Sequence, residues 1–372
     1  MYKYMHGGNI YDEHGTVENI IDFSVNTNPF STPEKAIIAA KQAIDSINIY
    51  PDSDCQRLRI ALAEFEGVNK EHIFCTNGAS DCLFRAVFAV KPKKVMVTAP
   101  SFTDYERAAK AIGAEIVHYK LKEENGFHIT KDIVSFITKN VPDMIFICNP
   151  NNPTGCLVDL DMIGNIAKIC LSMGTILIID ECFIDFVQDS RRHTAKRLMN
   201  KYKNLMIIKA FTKIFAMPGL RLGYVLCQDE KLLDRLRFCG ADWPVTNVAQ
   251  IAGLTALISG REFIEKTALY VRKEREYMTN ELREIGLSVY ESSANFIFFH
   301  CGWDANLRDV LKEKGYLIRD CSNFAGLEPE SGVVKDMYNR LPVQSGYYRI
   351  AVSTEEKNKA LIETMRGVKL FG

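Results

Sequence analysis

The sequence predicts an α/β protein with a large domain built round a mostly parallel β-sheet and a smaller α+β unit toward the C-terminal end. From about residue 72 onward, short apolar runs rich in β-branched residues alternate with longer amphipathic stretches, which is typical of parallel strands connected by helices. Near Trp243 this alternation gives way to a long helical stretch, 247–285. The 372 residues, 47% of them hydrophobic, are enough for about two domains.

Six runs in the first part have the length and composition of buried strands. They are 94–99, 115–120, 144–148, 175–180, 205–210 and 222–227. Helical patterns such as 103–112 and 159–173 lie between them. In the second part we expect strands at 287–300 and 346–352, a helix at 304–315 and a surface loop over 328–345.

Charge and composition favour a small-molecule substrate over a nucleic acid or a membrane. The chain has 46 Lys and Arg against 46 Asp and Glu, so it offers no excess of positive charge for nucleic acid or anionic lipids. No apolar run reaches the ~18 residues of a membrane helix, and the N-terminus has no signal-peptide pattern. The 11 cysteines and 7 histidines form no C-x-x-C or H-E-x-x-H pattern. We therefore expect reduced thiols, no metal site and a cytoplasmic location.

Polar clusters follow three of the predicted strands. The segment NPNNPTG, with Asn152, follows the third strand, Asp180 ends the fourth, and Lys213 lies just after the fifth. Because ligands of open α/β sheets bind beyond the carboxyl ends of the strands, we expect these three side chains at one edge of the sheet. Spacing alone leaves open whether Lys213 is functional or an ordinary surface residue.

Four short motifs resemble those of the aminotransferase-like, fold-type-I enzymes that use pyridoxal 5'-phosphate (PLP). They are N-P-T-G at 152–155, D-E at 180–181, T-K at 212–213 and G-L-R-L-G at 219–223. The resemblance extends over essentially the whole chain. It implies a large PLP-binding domain with a seven-stranded, mostly parallel sheet, a small α+β domain, and an N-terminal arm that contributes to the active site. The implied bounds are 1–30 for the arm, 31–245 for the large domain and 246–372 for the small domain.

The resemblance assigns three residues to the reactive end of the cofactor. Lys213 would form a Schiff base with the cofactor aldehyde, which requires a neutral amine and is helped by burial. Asp180, the second catalytic residue, would face the pyridine nitrogen and keep it protonated, so that the ring accepts electrons. Asn152 would donate a hydrogen bond to the ring oxygen and contact the substrate, although its place between two prolines could also make it a simple turn residue.

The same resemblance assigns residues to the phosphate and the ring face of the cofactor. Backbone N–H groups of Ala79 and Ser80, just before a predicted helix, would bind the cofactor phosphate together with Arg221. Phe102 would stack on the ring, or could simply pack in the core. Tyr50 would reach the cofactor phosphate in the neighbouring subunit's site, which implies a homodimer.

Two positions depart from the family pattern. Ala210 stands where a phosphate-binding Ser or Thr is usual, and Phe183 stands where a Tyr is usual. Each change removes one hydroxyl hydrogen bond to the cofactor, worth about 1 kcal/mol. We therefore expect weaker PLP binding, with the covalent link to Lys213 still formed.

Two further segments indicate the reaction. The whole chain is similar to histidinol-phosphate aminotransferases, but HGGN at 6–9 and LIRDCSNFAGL at 317–327 resemble the threonine-phosphate decarboxylases of cobamide biosynthesis. This resemblance implies an O-phospho amino acid as substrate, whose two anionic groups need cations. Arg349 would engage the carboxylate, and Arg319 with His6 would engage the phosphate, although either arginine could contact either anion.

The expected reaction is PLP-dependent decarboxylation to an amino-alcohol phosphate for the cobamide nucleotide loop, with Lys213 or water returning a proton to Cα. Phosphothreonine is the first expected substrate, and phosphoserine stays open because one methyl group is worth only ~1–3 kcal/mol. The segment 328–345, longer than in those decarboxylases, could reshape the pocket. The rival functions are a histidinol-phosphate-type aminotransferase and a PLP-binding regulator, the latter disfavoured by the neutral charge and the absence of a helix-turn-helix pattern.

Overall fold

The computed structural model describes residues 6–11, 14–303, 306–328 and 346–369. Its largest element is a seven-stranded sheet. After a short arm strand, β1 (Ile21–Asp22), the strands of this sheet are β2 (Ile73–Thr76), β3 (Lys94–Ala99), β4 (Glu115–Lys120), β5 (Met144–Cys148), β6 (Ile176–Asp180), β7 (Leu205–Ala210) and β8 (Gly223–Cys227).

The strand order across this sheet is β2-β8-β7-β6-β5-β3-β4. Neighbours from β7 to β4 run parallel, and β8 is antiparallel to both β2 and β7. The expected seven-stranded, mostly parallel sheet is therefore confirmed, and all six strands predicted from local sequence are present. The additional strand, β2, is a run of only four residues.

Alternate residues of the central strands enter two hydrophobic cores, one on each face of the sheet. In β6, Leu177 and Ile179 pack into one core and Ile178 packs into the other. The same alternation puts Asp180, the last residue of β6, on the Ile178 side, where Tyr105 is fully buried. A carboxylate is thereby fixed at the carboxyl end of a central strand.

The C-terminal part carries a four-stranded antiparallel sheet, in the order β12-β13-β10-β9. The remaining strands are β9 (Ser288–Val289), β10 (Phe296–His300), β11 (Tyr316–Leu317), β12 (Arg319–Asp320) and β13 (Tyr347–Ala351). The strand predicted at 287–300 is a hairpin, because Ser292 Oγ donates to the backbone oxygen of Phe296 at 2.6 Å and the chain turns there. The loop predicted at 328–345 lies, from residue 329 on, outside the described residues.

The described helices are α1 (Glu34–Ala43), α2 (Gln56–Glu66), α3 (Gly78–Val90), α4 (Asp104–Ala111), α5 (Ile133–Asn140), α6 (Leu160–Met173), α7 (Ser190–His193), α8 (Phe211–Ile214), α9 (Glu230–Phe238), α10 (Asn247–Ile258), α11 (Gly260–Glu284), α12 (Leu307–Glu313) and α13 (Glu355–Lys369). The predicted helices 103–112, 159–173 and 304–315 correspond to α4, α6 and α12, and the predicted strand 346–352 is β13. Within the described ranges, no helix combines the length and apolar character needed to cross a bilayer.

The helical stretch predicted at 247–285 is two helices, because Ser259 departs from helical geometry with φ −110° and ψ 16°. Close packing leaves no room for a larger side chain at the next residue, Gly260. A Cβ on Gly260 would lie 3.1 Å from Phe65 and 3.2 Å from Phe215. The break therefore lies where the chain passes tightly against two aromatic rings of the large domain.

The N-terminal arm contacts both parts of the protein. Its strand β1 pairs in parallel with β11 of the C-terminal part, and the backbone oxygen of Phe23 accepts a hydrogen bond from the N–H of Ala351 at 2.8 Å. Farther along, the N–H of Asn28 donates to the backbone oxygen of Lys213 at 3.0 Å. The arm thus connects the small sheet to the turn that carries Lys213.

Candidate active site

A cavity of about 250 Å³ lies at the carboxyl ends of the central strands and is also lined by the arm and the C-terminal part. Ten of the eleven residues predicted for the site line it: His6, Ala79, Ser80, Phe102, Asn152, Asp180, Lys213, Arg221, Arg319 and Arg349. The fold therefore gathers side chains from the first described segment to the last strand. The exception is Tyr50, which lies on the outer surface.

Lys213 lies in the one-turn helix α8, directly after β7, so the end of the strand determines its position. The side chain of Asn28 supports this turn by donating to the backbone oxygen of Ile214 at 2.7 Å. Burial, with a smaller contribution from the charge of Arg349, lowers the pKa of the Lys213 amine to about 8. Near neutral pH the amine therefore has a far larger neutral fraction than an ordinary lysine, as attack on an aldehyde requires.

Both carboxylate oxygens of Asp180 accept a hydrogen bond. Oδ2 accepts from the hydroxyl of Tyr105 at 2.7 Å, and Oδ1 accepts from the backbone N–H of Cys182 at 3.0 Å. The ring of Tyr105 is itself stacked on Phe146, with centroids 5.0 Å apart. Asp180 is thus an oriented carboxylate, suited to hold a protonated ring nitrogen.

Arg349 is buried and held by neighbours on two sides. Its guanidinium donates to Oδ1 of Asn152 and, at 2.7 Å, to the backbone oxygen of Ser24. With its amide turned so that the oxygen faces the guanidinium, Asn26 accepts from Nη1 at 3.1 Å. Burial lowers the pKa of Arg349 to about 10, so the guanidinium stays charged at neutral pH. Because Asn152 accepts through its oxygen, its amide hydrogens remain suited to donate to a ligand.

Arg319 lies opposite Arg349 in the pairing of β12 with β13. It is buried, and its guanidinium donates to the backbone oxygen of Asp320 and, at 2.7 Å, to Oδ1 of Asn323. The ring of Phe324 lies 5.0 Å from the guanidinium carbon. Strand pairing therefore delivers two oriented guanidinium groups to one cavity, where they can bind anions.

The start of α3 lines the cavity next to Arg221. The N–H groups of Ala79 and Ser80 lie in the first turn of this helix, where backbone donors and the helix dipole favour an anion. A Cβ on Gly78 would lie 2.7 Å from Nη2 of Arg221, and a Cβ on Gly223 would lie 2.7 Å from the carbonyl carbon of Gly78. The two glycines thus allow the start of α3, β8 and the side chain of Arg221 to approach one another more closely than any other residue would permit.

His6 lies at the mouth of the cavity, next to a buried carboxylate. Its Nε2 is 3.3 Å from Oδ1 of Asp104, and its ring centroid is 5.8 Å from that of Phe102. Asp104 also accepts from Oγ of Ser80 at 3.1 Å. Burial raises the pKa of Asp104, but the contacts with His6 and Ser80 outweigh it and hold the pKa below its ordinary value. Asp104 therefore connects His6 to the start of α3.

Comparison with known proteins identifies the family. The model of the family "Aminotransferase class I and II" matches residues 18–365. The chain belongs to this family. A threonine-phosphate decarboxylase from Salmonella typhimurium is 32% identical to it over 99% of this chain and 97% of its own length. A protein from Caldanaerobacter subterraneus, provisionally described as the same enzyme, is 38% identical over 99% of this chain and 95% of its own length. The structure of the histidinol-phosphate aminotransferase from Clostridium acetobutylicum has a TM-score of 0.84 at 27% identity, covering 95% of this chain and 100% of that chain.

The cofactor of this member of the aminotransferase class I and II family is PLP. The residues of the cavity fit it. The backbone N–H groups of Ala79 and Ser80 at the start of α3 would hold the cofactor phosphate, with Arg221 as its cation. Lys213 offers an amine of lowered pKa for the aldehyde, and Asp180 offers a carboxylate for the ring nitrogen.

Both departures from the family pattern, Ala210 and Phe183, line the cavity. The ring of Phe183 packs edge-on against Phe296 with centroids 5.1 Å apart, and Nζ of Lys213 lies 5.8 Å from it. A phenyl group at this position supplies apolar surface beside the amine in place of a hydroxyl. It therefore contributes to the burial that lowers the pKa of Lys213.

Tyr50 lies outside the cavity of its own chain. It is 77% exposed, and its ring stacks on Trp243 with centroids 4.5 Å apart. Ile47 and Ile49, its neighbours in sequence, are also exposed. Within one chain, Tyr50 is part of an apolar surface patch.

Four contacts of the site were not predicted from the sequence. Tyr105 and Asp104 begin α4, where the pattern indicates only a helix, although their closeness to Phe102 was a usable signal. Asn26 had no motif to mark it. Ser24 acts on Arg349 through its backbone oxygen, which no residue type reveals.

Proposed function

We propose that the protein catalyses the PLP-dependent decarboxylation of an O-phospho amino acid, L-threonine O-3-phosphate or the smaller L-serine O-phosphate, to an amino-alcohol phosphate. One observation carries this proposal: two buried arginines, Arg319 and Arg349, lie opposite each other on paired strands in the cavity of Lys213. A substrate with both a carboxylate and a phosphate ester needs two such cations. The similarity to threonine-phosphate decarboxylases over the full length supports the same substrate class.

Arg349 is the proposed ligand of the carboxylate. Its charge lies close enough to Lys213 to lower the pKa of that amine, so an anion held by Arg349 would be near the reacting carbon. Arg319 and His6 are the proposed ligands of the phosphate. Both also line an adjoining second cavity, which Lys213 does not line.

When bound, PLP supplies an aldehyde that bonds to amines and a ring that accepts the electron pair of a bond broken at Cα. Lys213 would hold the cofactor before the substrate binds, and its amine could later return a proton to Cα. Asp180, oriented by Tyr105, would keep a proton on the ring nitrogen. Arg349 would hold and orient the carboxylate, so that the bond from Cα to the carboxylate carbon would be the one that breaks, with loss of carbon dioxide.

A second candidate is a histidinol-phosphate-type aminotransferase, favoured by the likeness of fold to the Clostridium acetobutylicum enzyme. Its amine substrate has a phosphate but no carboxylate, so Arg349 would serve only the later oxo acid. In that case Lys213 would move a proton from Cα to the cofactor, with no loss of carbon dioxide.

Product analysis tests the proposal. The PLP-loaded protein is incubated with O-phospho-L-threonine, with O-phospho-L-serine, and with histidinol phosphate plus 2-oxoglutarate. We expect carbon dioxide from at least one phospho amino acid and no glutamate from the third mixture. Glutamate without carbon dioxide would establish the aminotransferase instead, and a Lys213→Ala variant gives the background of each reaction.

We further infer that the protein acts as a homodimer in which Tyr50 reaches the cofactor phosphate of the neighbouring subunit's site. Tyr50 lies outside the cavity of its own chain. The patch of Ile47, Ile49, Tyr50 and Trp243 exposes apolar surface that association would bury.

We also propose a cytoplasmic location. All 11 cysteines are free, which fits a reducing cytoplasm. The product of the proposed reaction would serve assembly of the cobamide nucleotide loop.

We propose an arm of residues 1–30, a large domain of 31–245 and a small domain of 246–372. The contacts of the arm with both β11 and the turn of Lys213 support its separate role.

A further inference from the structure

A second cavity, of about 340 Å³, adjoins the first. The two cavities share His6, Gly7, Ser24 and Arg319, so Arg319 lies on a wall common to both. Among the described residues, Arg308 lines the second cavity and not the first. It is the second residue of α12, and its side chain is 26% exposed.

The second cavity brings two guanidinium groups toward each other. Burial lowers the pKa of Arg319, and the positive charge of Arg308 adds to this effect. Asp320 also lines this cavity, and its negative charge raises the pKa of Arg319 more than the charge of Arg308 lowers it. One carboxylate oxygen of Asp320 accepts from the backbone N–H of Ser322 at 2.8 Å, and the carboxylate of Asp309, whose side chain is 54% exposed, lies 3.9 Å from Arg308. An anion bound between the two guanidinium groups would offset their mutual repulsion.

We propose that the second cavity is an anion subsite in which Arg308 and Arg319 together bind the phosphate ester of the substrate. This inference rests on the proposed function and deepens it, since it assigns Arg308 a role in choosing the substrate. A phosphate ester carries about two negative charges at neutral pH, and two guanidinium groups match that charge and offer several N–H donors. Arg308 thereby favours phosphorylated over unphosphorylated amino acids without contact with the reacting carbon.

The test compares PLP-loaded Arg308→Gln with the parent and with Lys314→Gln, a matched loss of one exposed cation just after the same helix. Decarboxylation of O-phospho-L-threonine gives KM and kcat, and calorimetry gives the affinity for inorganic phosphate. In Arg308→Gln we expect the KM and the phosphate dissociation constant to rise about tenfold, with kcat changed less than about twofold. Arg308→Lys, which keeps the charge, should recover part of the loss.

The phosphate-binding measurement distinguishes failure of the proposed subsite from failure of the proposed reaction. If the parent binds phosphate in an Arg308-dependent way but releases no carbon dioxide, the subsite stands and the proposed reaction is wrong. If the parent decarboxylates the substrate and Arg308→Gln behaves like Lys314→Gln in both measurements, the subsite is wrong and the reaction stands. Equal melting temperatures of the variants exclude misfolding as the cause of a loss.

Discussion

The hydroxyl of Tyr105 donates a hydrogen bond of 2.7 Å to Oδ2 of Asp180. The two residues come from α4 and β6, and neither side chain is appreciably exposed. The ring of Tyr105 lies almost parallel to that of Phe146, with an interplanar angle of 3°, so packing fixes the hydroxyl. Tyr105 therefore acts as a positioning residue for the carboxylate that we propose faces the cofactor ring.

Tyr105→Phe keeps the stacked ring and removes only the hydroxyl. A hydrogen bond to a charged group is worth about 1.5 kcal/mol or more, so we expect PLP affinity and kcat to fall about tenfold. Titration with PLP followed by absorbance measures the first, and the decarboxylation rate measures the second. The control is Tyr119→Phe, whose hydroxyl bonds Asp132 at 2.9 Å away from the cavity. Equal PLP affinity in both variants would contradict the role of Tyr105.

The two arginines should differ in which ligands they bind. The substrate has a carboxylate and a phosphate, whereas the product has lost the carboxylate. Arg349→Gln should therefore weaken substrate binding about 10- to 100-fold and leave product binding nearly unchanged, while Arg319→Gln should weaken both. Inhibition constants of the product and KM values of the substrate distinguish these outcomes. The reverse pattern would exchange the assignments of the two residues.

The parts of the fold that the sequence predicted are those set by local patterns. Runs such as 144–148 and 205–210 are apolar, rich in β-branched residues and bounded by turn residues, so their strands could be recognised without tertiary information. The positions of Asp180 and Lys213 followed directly, because each lies at the carboxyl end of such a run. Arg319 and Arg349 required the family resemblance, because β12 is only two residues long and the pattern that predicted β13 does not mark Arg349 as a ligand.

Tertiary contacts explain what the sequence did not predict. The break at Ser259 depends on close packing of Gly260 against Phe65 and Phe215, which are distant in sequence. The hydrogen bond from Tyr105 to Asp180 depends on α4 lying over the end of β6, and nothing in the helical pattern of 103–112 marks it. Contacts of this kind appear only when the sheet order is known.

The proposed crossing of Tyr50 between subunits predicts complementation of two inactive variants. Tyr50→Ala and Lys213→Ala chains damage the same site in a mixed dimer, and the other site is then intact. When equal amounts of the two variant chains are unfolded, mixed and refolded together, about a quarter of the parental activity should return, as random association into twofold dimers requires. If mixed dimers form and activity stays at the level of the separate variants, Tyr50 does not serve the neighbouring site.

The lowered pKa of Lys213 predicts a pH dependence of cofactor attachment. Only the neutral amine attacks the aldehyde, so the attachment rate should rise with pH, be half-maximal near the pKa of about 8 and level off above it. Because the charge of Arg349 contributes to lowering this pKa, Arg349→Gln should move the profile to higher pH. Stopped-flow absorbance after mixing the PLP-free protein with PLP measures the attachment rate at each pH. A rate that keeps rising toward about pH 10.4, the value of an ordinary lysine, would contradict the prediction.

The most direct test of the proposed reaction is which of two buried lysines, Lys209 or Lys213, binds the cofactor. Lys209, four residues before Lys213, is also buried, but its Nζ lies 2.9 Å from Glu66 and 3.1 Å from Asp185. These carboxylates raise the pKa of Lys209 despite burial, so its amine stays charged and unreactive.

The decisive measurement is reduction of the PLP-loaded protein with borohydride, followed by mass spectrometry of its peptides. We expect one cofactor mass added per chain, located at Lys213 within its peptide. In Lys213→Ala we expect neither the adduct nor release of carbon dioxide. An adduct on Lys209 or another lysine, or full activity without Lys213, would contradict the assignment on which the proposed reaction rests.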